Sequence, residues 1–167
     1  SRLQRDICGS AAHSGLEAVL GTSTGMLPSD LAHSRLILVW GANPAITNAH
    51  GWPFVLEAKK KGARLVVIDP LRSRTAEQAD WHVRPRPGTD AALALGMMHV
   101  IVRDSLHDAD YVERYTLGFD RLKPRLAEYP PERVARITGL AASEIEELAR
   151  AYATTKPAAI RTLIGME

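Results

Sequence analysis

Two uninterrupted apolar runs, Leu36-Ile37-Leu38-Val39-Trp40 and Leu65-Val66-Val67-Ile68, constrain this chain more than any other feature. A run of four or five apolar residues without polar alternation is the pattern of a strand buried on both faces. Gly41 stops the first run, and Asp69-Pro70 ends the second. The chain between them reads as a helix from Trp52 to Lys61, with Pro53 suited to its first turn, lysines in its last and Gly62 just past its end. Strand, helix and strand within about 33 residues make a βαβ unit, whose strands must run parallel with a right-handed crossover.

The rest of the chain continues the alternation. Trp81-His82-Val83 is a shorter strand, followed by the turn-rich Pro85-Arg86-Pro87-Gly88. Thr89 or Asp90 caps a helix over Ala91 to Arg103, with Leu93, Met97, Val100 and Ile101 on its apolar face. Helices are predicted over Asp108 to Tyr115 and over Arg133 to Ile137, the latter closed by Gly139. Another runs from the capping-box pattern Ser143-Glu144-Ile145-Glu146 to Thr154, and Ala158 to Ile164 forms a last strand. Glu144, Glu146 and Glu147 read as a solvated helix face. The fold class is α/β, with a mainly parallel sheet and flanking helices of the Rossmann-like, dinucleotide-binding type. One domain is expected over 1–167, with a loop-rich segment at 1–34, holding a short helix at Leu16 to Leu20, and an α/β core at 35–167.

Composition excludes several classes. With 46% hydrophobic and 24% charged residues the chain is globular rather than disordered. Its 21 Lys and Arg against 19 Asp and Glu argue against nucleic acid or anionic lipid as a bulk partner. The longest apolar runs are about a quarter of the roughly 20 residues that a bilayer crossing demands. The single cysteine forbids an intrachain disulfide. The chain opens at Ser1 without Met and stops within Leu163 to Glu167, which reads as an interrupted element, so both ends are expected to be cut.

In an open parallel sheet, ligands bind beyond the carboxyl ends of the strands, and three segments leave such ends. After the first strand, Gly41-Ala42-Asn43-Pro44 lets backbone approach a ligand and offers N–H groups to phosphate. This is not the G-x-G-x-x-G fingerprint of an ordinary NAD site. After the second comes Asp69-Pro70-Leu71-Arg72-Ser73-Arg74, where the aspartate is either a turn residue or an acceptor for ribose hydroxyls. After the third comes Gly88-Thr89-Asp90, where the carboxylate either starts a helix or accepts from the ring N–H and amine of guanine; the two roles are compatible. Cys8, in a Gly, Ser and Ala stretch with room for a large ligand, is a buried small hydrophobe or a soft ligand for a heavy metal. The six histidines lack zinc-ligand spacing. His99 reads as structural, and His82, Arg84 and Arg86 as a solvated basic loop.

Taken in order, Ile7-Cys8-Gly9-Ser10-Ala11-Ala12, Leu38-Val39-Trp40-Gly41-Ala42-Asn43-Pro44, Val67 to Ala76, Ala79-Asp80 and Arg86 to Leu95 resemble the molybdopterin oxidoreductases of the dimethyl sulfoxide reductase superfamily. Tyr111 to Thr116 and Ile137-Thr138-Gly139 fit the same pattern. The resemblance implies a bis-molybdopterin guanine dinucleotide cofactor with molybdenum or tungsten. It puts Cys8 at the position of the metal ligand, which makes it the catalytic residue. Trp40, Gly41, Asn43 and Thr47 match the loop around one pterin and its diphosphate. Asp69, Pro70, Leu71, Arg72 and Ser73 match the guanosine segment, and Gly88, Thr89 and Asp90 the guanine loop.

The resemblance further implies a small-molecule substrate and a redox enzyme as parent. Its partners would be the remaining domains of the subunit and an iron-sulfur electron-transfer subunit. An iron-sulfur cluster is expected only in the part of the parent beyond this chain, since such a cluster needs several cysteines. The isolated chain is expected to be inactive, with half of the cofactor cage absent. Gly9 stands where formate dehydrogenases of the family usually carry histidine, which argues against formate as substrate. The alternative is a generic nucleotide-binding module, or the middle domain of a thiamine-diphosphate enzyme, which shares the strand-then-glycine loop.

Overall fold

The structure is a computed structural model that describes residues 9–22 and 25–162. Contacts divide the chain into two compact units, one running to His82 and resuming at Ala159, the other spanning Val83–Ala158.

The first unit is built on a four-stranded sheet of order β3-β2-β1-β4, with all strands parallel. Its strands are β1 (Leu36–Trp40), β2 (Arg64–Ile68), β3 (Trp81–Val83) and β4 (Ala158–Thr162), and β1 pairs with β2 from Leu36 opposite Arg64 to Trp40 opposite Ile68. Every residue of β1 is buried, as are Leu65 to Ile68 of β2, which is what the unbroken apolar runs require. Before the sheet come α1 (Ser10–Leu20) and a 3₁₀ turn at Pro28–His33; α2 (Pro44–Thr47) and α3 (Trp52–Lys60) join β1 to β2, and a second 3₁₀ turn at Ala76–Gln78 precedes β3. One contiguous core holds Leu31, Ile37, Val39, Trp52, Val55, Ala58, Leu65, Val67 and Ala159. The segment read as a loop at Gly9 to Gly15 is instead the start of α1, which ends where the Gly21 N–H meets the Glu17 carbonyl at 2.9 Å.

Asp80 clasps the start of β3 to the start of β2. Its Oδ2 accepts from the Leu65 N–H at 2.7 Å, its Oδ1 accepts from Lys59 Nζ at 2.9 Å, and its own N–H donates to the Leu65 carbonyl at 2.9 Å. Partial burial pushes its carboxyl up, but the Leu65 and Lys59 bonds together outweigh this and hold it below the usual aspartate value.

The second unit is helical: α4 (Asp90–Arg103), α5 (Ala109–Tyr115), α6 (Phe119–Ala127), α7 (Pro131–Thr138) and α8 (Ala142–Thr154). Leu93, Met97, Val100, Leu126, Val134, Ile145 and Leu148 are buried; Ile101, expected with them, is half-buried at the margin of the α4 face. His99 Nδ1 lies 2.9 Å from the Leu126 carbonyl, a structural role as expected. Two features differ from the sequence reading. No helix was expected at α6, because Pro124 lies within it and removes a backbone donor. The capping box at Ser143 does not form, because α8 starts two residues early with Ala141 at the cap position.

Glu146 is thereby free to join an ion-pair ring rather than a solvated face. Arg103 reaches Asp104 at 2.7 Å and Glu146 at 2.9 Å, while Arg150 reaches Asp104 at 2.9 Å and Glu146 at 3.0 Å. Hydrogen bonds from Arg103, with further ones from Arg150, hold both carboxyls below their usual values. A depressed folded pKa stabilises fully above the unfolded value and is lost as pH falls through the folded one. Stability is therefore expected to drop on acidification below about pH 4.5, the upper end of the unfolded carboxyl range. An Asp104→Asn/Glu146→Gln variant is expected to show a flatter fall in urea titrations between pH 5 and 3, with the difference shrinking in high salt. Equal slopes for the variant and the parent sequence would remove the ring from this account.

Candidate functional site

The site begins where β1 and β2 run out. Trp40 ends β1 at 3% exposure, and Gly41 turns the chain with φ at +59°, a conformation that a side chain resists. The Gly41 N–H donates to the Ile68 carbonyl at 3.0 Å, extending the ladder by one bond. Asn43 then opens α2. Its carbonyl accepts the N–H groups of Ile46 and Thr47 at 3.0 Å and the Thr47 hydroxyl at 3.1 Å. Within residues 41–44, the Gly41 N–H is thus the one engaged backbone donor. The N–H groups of Ala42 and Asn43 have no partner among the described residues.

Beyond β2, Asp69 folds its own turn, with Oδ1 accepting the Leu71 N–H at 2.8 Å. Its Oδ2 has no partner among the described residues. The Asp69 carbonyl meets His82 Nε2 at 2.8 Å, so this histidine braces the end of β2 instead of floating in a solvated loop. Leu71 and Arg72 are exposed. Ser73 closes the segment, its Oγ accepting the Ala76 N–H at 3.2 Å and its carbonyl the Glu77 N–H at 2.9 Å.

The two loops are locked together by a residue the sequence reading passed over. Thr75 is fully buried; its hydroxyl donates to Asn43 Oδ1 at 2.7 Å and accepts the Ala45 N–H at 3.1 Å, and its own N–H reaches Asn43 Oδ1 at 3.3 Å. The available signal was the pairing of an asparagine after one buried strand with a threonine after the next. Beside this lock lies a cleft of about 400 Å³, lined by Leu16, Met26, Val39, Val55 and Ile160, with Pro44, Asn48 and Gly51 from the α2 region.

In the second unit, Gly88 has φ at +76°, and a Cβ there would meet nothing within 4 Å. Thr89 occupies the cap position of α4, but its hydroxyl donates to the Arg86 carbonyl at 2.6 Å, so the expected side-chain cap is not made. Asp90 is the first residue of the helix and is engaged by a protein partner. Arg86 is exposed, as expected of a solvated loop, and its Nη1 donates to the Arg136 carbonyl at 3.0 Å. Cys8 lies outside the described residues, and no described helix is long and apolar enough to cross a membrane.

Comparison with known proteins gives this geometry a context. The family model for molybdopterin oxidoreductase matches residues 5–163. The chain is 40% identical over 161 residues to the probable oxidoreductase YoaE of Bacillus subtilis, covering 96% of this chain and 24% of that protein. It is 36% identical over 166 residues to formate dehydrogenase H of Escherichia coli, covering 96% and 23%. Acetylene hydratase of Syntrophotalea acetylenica is 43% identical over 136 residues, covering 79% and 18%. Among solved structures, acetylene hydratase from Pelobacter acetylenicus superposes with a TM-score of 0.72 at 36% identity, covering 83% of this chain and 20% of that one. The chain thus spans about a quarter or less of the relatives it matches. It belongs to the molybdopterin oxidoreductase family, within the dimethyl sulfoxide reductase superfamily, and membership implies a molybdopterin cofactor with molybdenum or tungsten.

Proposed function

We propose that this chain is part of the catalytic subunit of a bis-molybdopterin guanine dinucleotide oxidoreductase, in which it binds one pterin dinucleotide and Cys8 supplies a thiolate to the metal. The observation that carries this reading is the lock between Asn43 and Thr75, which holds the loops after β1 and β2 as one surface at the carboxyl edge of the sheet. The residues fit such a ligand. The positive φ of Gly41 leaves the approach free of a side chain, and the N–H groups of Ala42 and Asn43 suit a diphosphate. Asp69 Oδ2 suits a ribose hydroxyl, and Arg72 adds positive charge from an exposed position. Gly88 to Asp90 would take the guanine edge.

When bound, the cofactor supplies a redox-active metal centre and a route for electrons. The chain's own contribution is to hold and orient: the Asn43 and Thr75 pair keeps the loops preformed, so little ordering is left to binding. The substrate is a small molecule, and electrons leave toward an iron-sulfur partner beyond this chain. The chain alone is inactive on this reading.

The full-length parent is expected to contain molybdenum or tungsten and the fluorescence of released pterin, and a Cys8→Ala variant to lose turnover while keeping its fold. Absence of both metal and pterin would overturn the proposal. Guanine nucleotide should bind in preference to adenine, with Asp90→Asn weakening only the former; an adenine preference would favour the generic nucleotide-binding module.

A further inference from the structure

Helix α7 ends at Thr138, and the last carbonyls of a helix have no partner within it. Gly139, with φ at +79°, leaves the helix with its N–H still donating to the Ala135 carbonyl at 2.9 Å. Two further carbonyls at this end are taken by Arg86. Its Nη1 donates to the Arg136 carbonyl at 3.0 Å across 50 residues of sequence, and its backbone N–H donates to the Thr138 carbonyl at 2.8 Å. A guanidinium also suits the negative end of the helix dipole. The packing is close as well: a Cβ added at Gly139 would lie 3.1 Å from Arg86 Nε and 3.4 Å from Arg86 Cγ. Position 139 therefore needs glycine twice over, for its left-handed backbone and for the side chain that lies over it.

Arg86 is also the first residue of the turn that carries Gly88 and Thr89. Its carbonyl accepts the Thr89 N–H at 3.3 Å and the Thr89 hydroxyl at 2.6 Å. Pro87 and Gly88 fill the centre of the turn, and φ of +76° at Gly88 is what the third position of a type II turn requires. Such a turn fixes its own shape but not its direction. The grip of its first residue on the end of α7 supplies the direction, and α4 begins directly after it at Asp90.

We propose that Arg86 is a positioning residue for guanine recognition: docked on the C-terminal end of α7, it holds residues 88–90 in the shape that meets the base, and acts through that loop rather than on the base or the phosphates. This rests on the reading of residues 88–90 as the guanine loop. Its physical content is preorganisation, since a loop that holds the binding shape for about a fifth of the time binds about fivefold more weakly than one that always holds it.

The test is equilibrium titration of the full chain with guanosine, guanosine diphosphate and adenosine. Arg86→Ala is expected to weaken guanosine and guanosine diphosphate by the same factor, about fivefold, the equivalent of one net hydrogen bond, and to leave adenosine unchanged. Hydrogen exchange at Thr89 should quicken while Val100, within α4, keeps its protection. Gly139→Ala, whose Cβ displaces the guanidinium, should reproduce the loss alone and add nothing in the Arg86→Ala background. Unchanged guanosine affinity in Arg86→Ala would overturn the proposal. So would a loss confined to the diphosphate, which marks direct contact with phosphate, or an equal loss for adenosine, which marks general damage to the fold. If the unaltered chain does not prefer guanosine to adenosine, the guanine reading itself fails, and the role of Arg86 with it.

Discussion

Thr75→Val is expected to destabilise the chain by about 1–3 kcal/mol, although valine has nearly the same shape as threonine. The side chain is fully buried, so the methyl that replaces the hydroxyl creates neither void nor strain. What changes is the partners. The Ala45 N–H loses its acceptor at 3.1 Å, and Asn43 Oδ1 keeps only the longer bond from the Thr75 N–H at 3.3 Å. Leaving a buried donor unmade costs more than making it contributes, which is why an isosteric change is expected to be felt. Urea unfolding measures the loss, and faster hydrogen exchange at Ala45 would localise it. Thr75→Ser, which keeps the hydroxyl, should retain Ala45 protection. An unchanged unfolding midpoint together with unchanged exchange at Ala45 would show that the lock is not needed to hold the loops.

Gly96→Leu is expected to cost at least as much, by the opposite mechanism. A Cβ at Gly96 would lie 2.9, 3.1 and 3.2 Å from three atoms of Val134, which is itself fully buried in α7. Helices α4 and α7 touch because one of them has no side chain at the contact. Overpacking of this kind costs about 1–3 kcal/mol through displaced helices and poor rotamers. The sign for alanine depends on the neighbour. Alanine improves intrinsic helix stability by about 1 kcal/mol over glycine, but here it meets the valine methyls. Gly96→Ala is therefore expected to destabilise with Val134 in place and to stabilise in a Val134→Ala background, and a double-mutant cycle by thermal unfolding reads that coupling. Additive effects would mean that the helices shift without cost.

The βαβ heart of the first unit was legible because it rests on one physical rule. Strands buried on both faces cannot afford polar residues, so Leu36–Trp40 and Leu65–Ile68 announce themselves. Helix α6 was not legible, since Pro124 breaks the local pattern and tertiary packing of Leu126 overrides it. The helix-end signals were half right. Gly139 does close α7 with φ at +79°, but Thr89 and Ser143 are diverted, one by a nearer carbonyl and the other by a helix start two residues earlier. Within the site, the turn role of Asp69 was one of the two readings open in the sequence. The partnership of Thr75 with Asn43 spans 32 residues, and no local rule reaches that far.

The position of β4 has a consequence for how the chain folds in time. Strand β1 meets β2 after 23 intervening residues, 41–63, but meets β4 only after 117, 41–157. Closing the fivefold longer loop costs ~1.4 kcal/mol more in chain entropy, before any pairing energy returns. On a growing or refolding chain, β1 to β3 can assemble while one flank of β1 still offers bare N–H and carbonyl groups. That flank is the most apolar strand of the protein, and until β4 arrives it is a template for pairing with another chain. Early collapse of the helical unit would shorten the wait by drawing Val83 and Ala158 toward each other, which makes that unit an internal timer for closing the sheet.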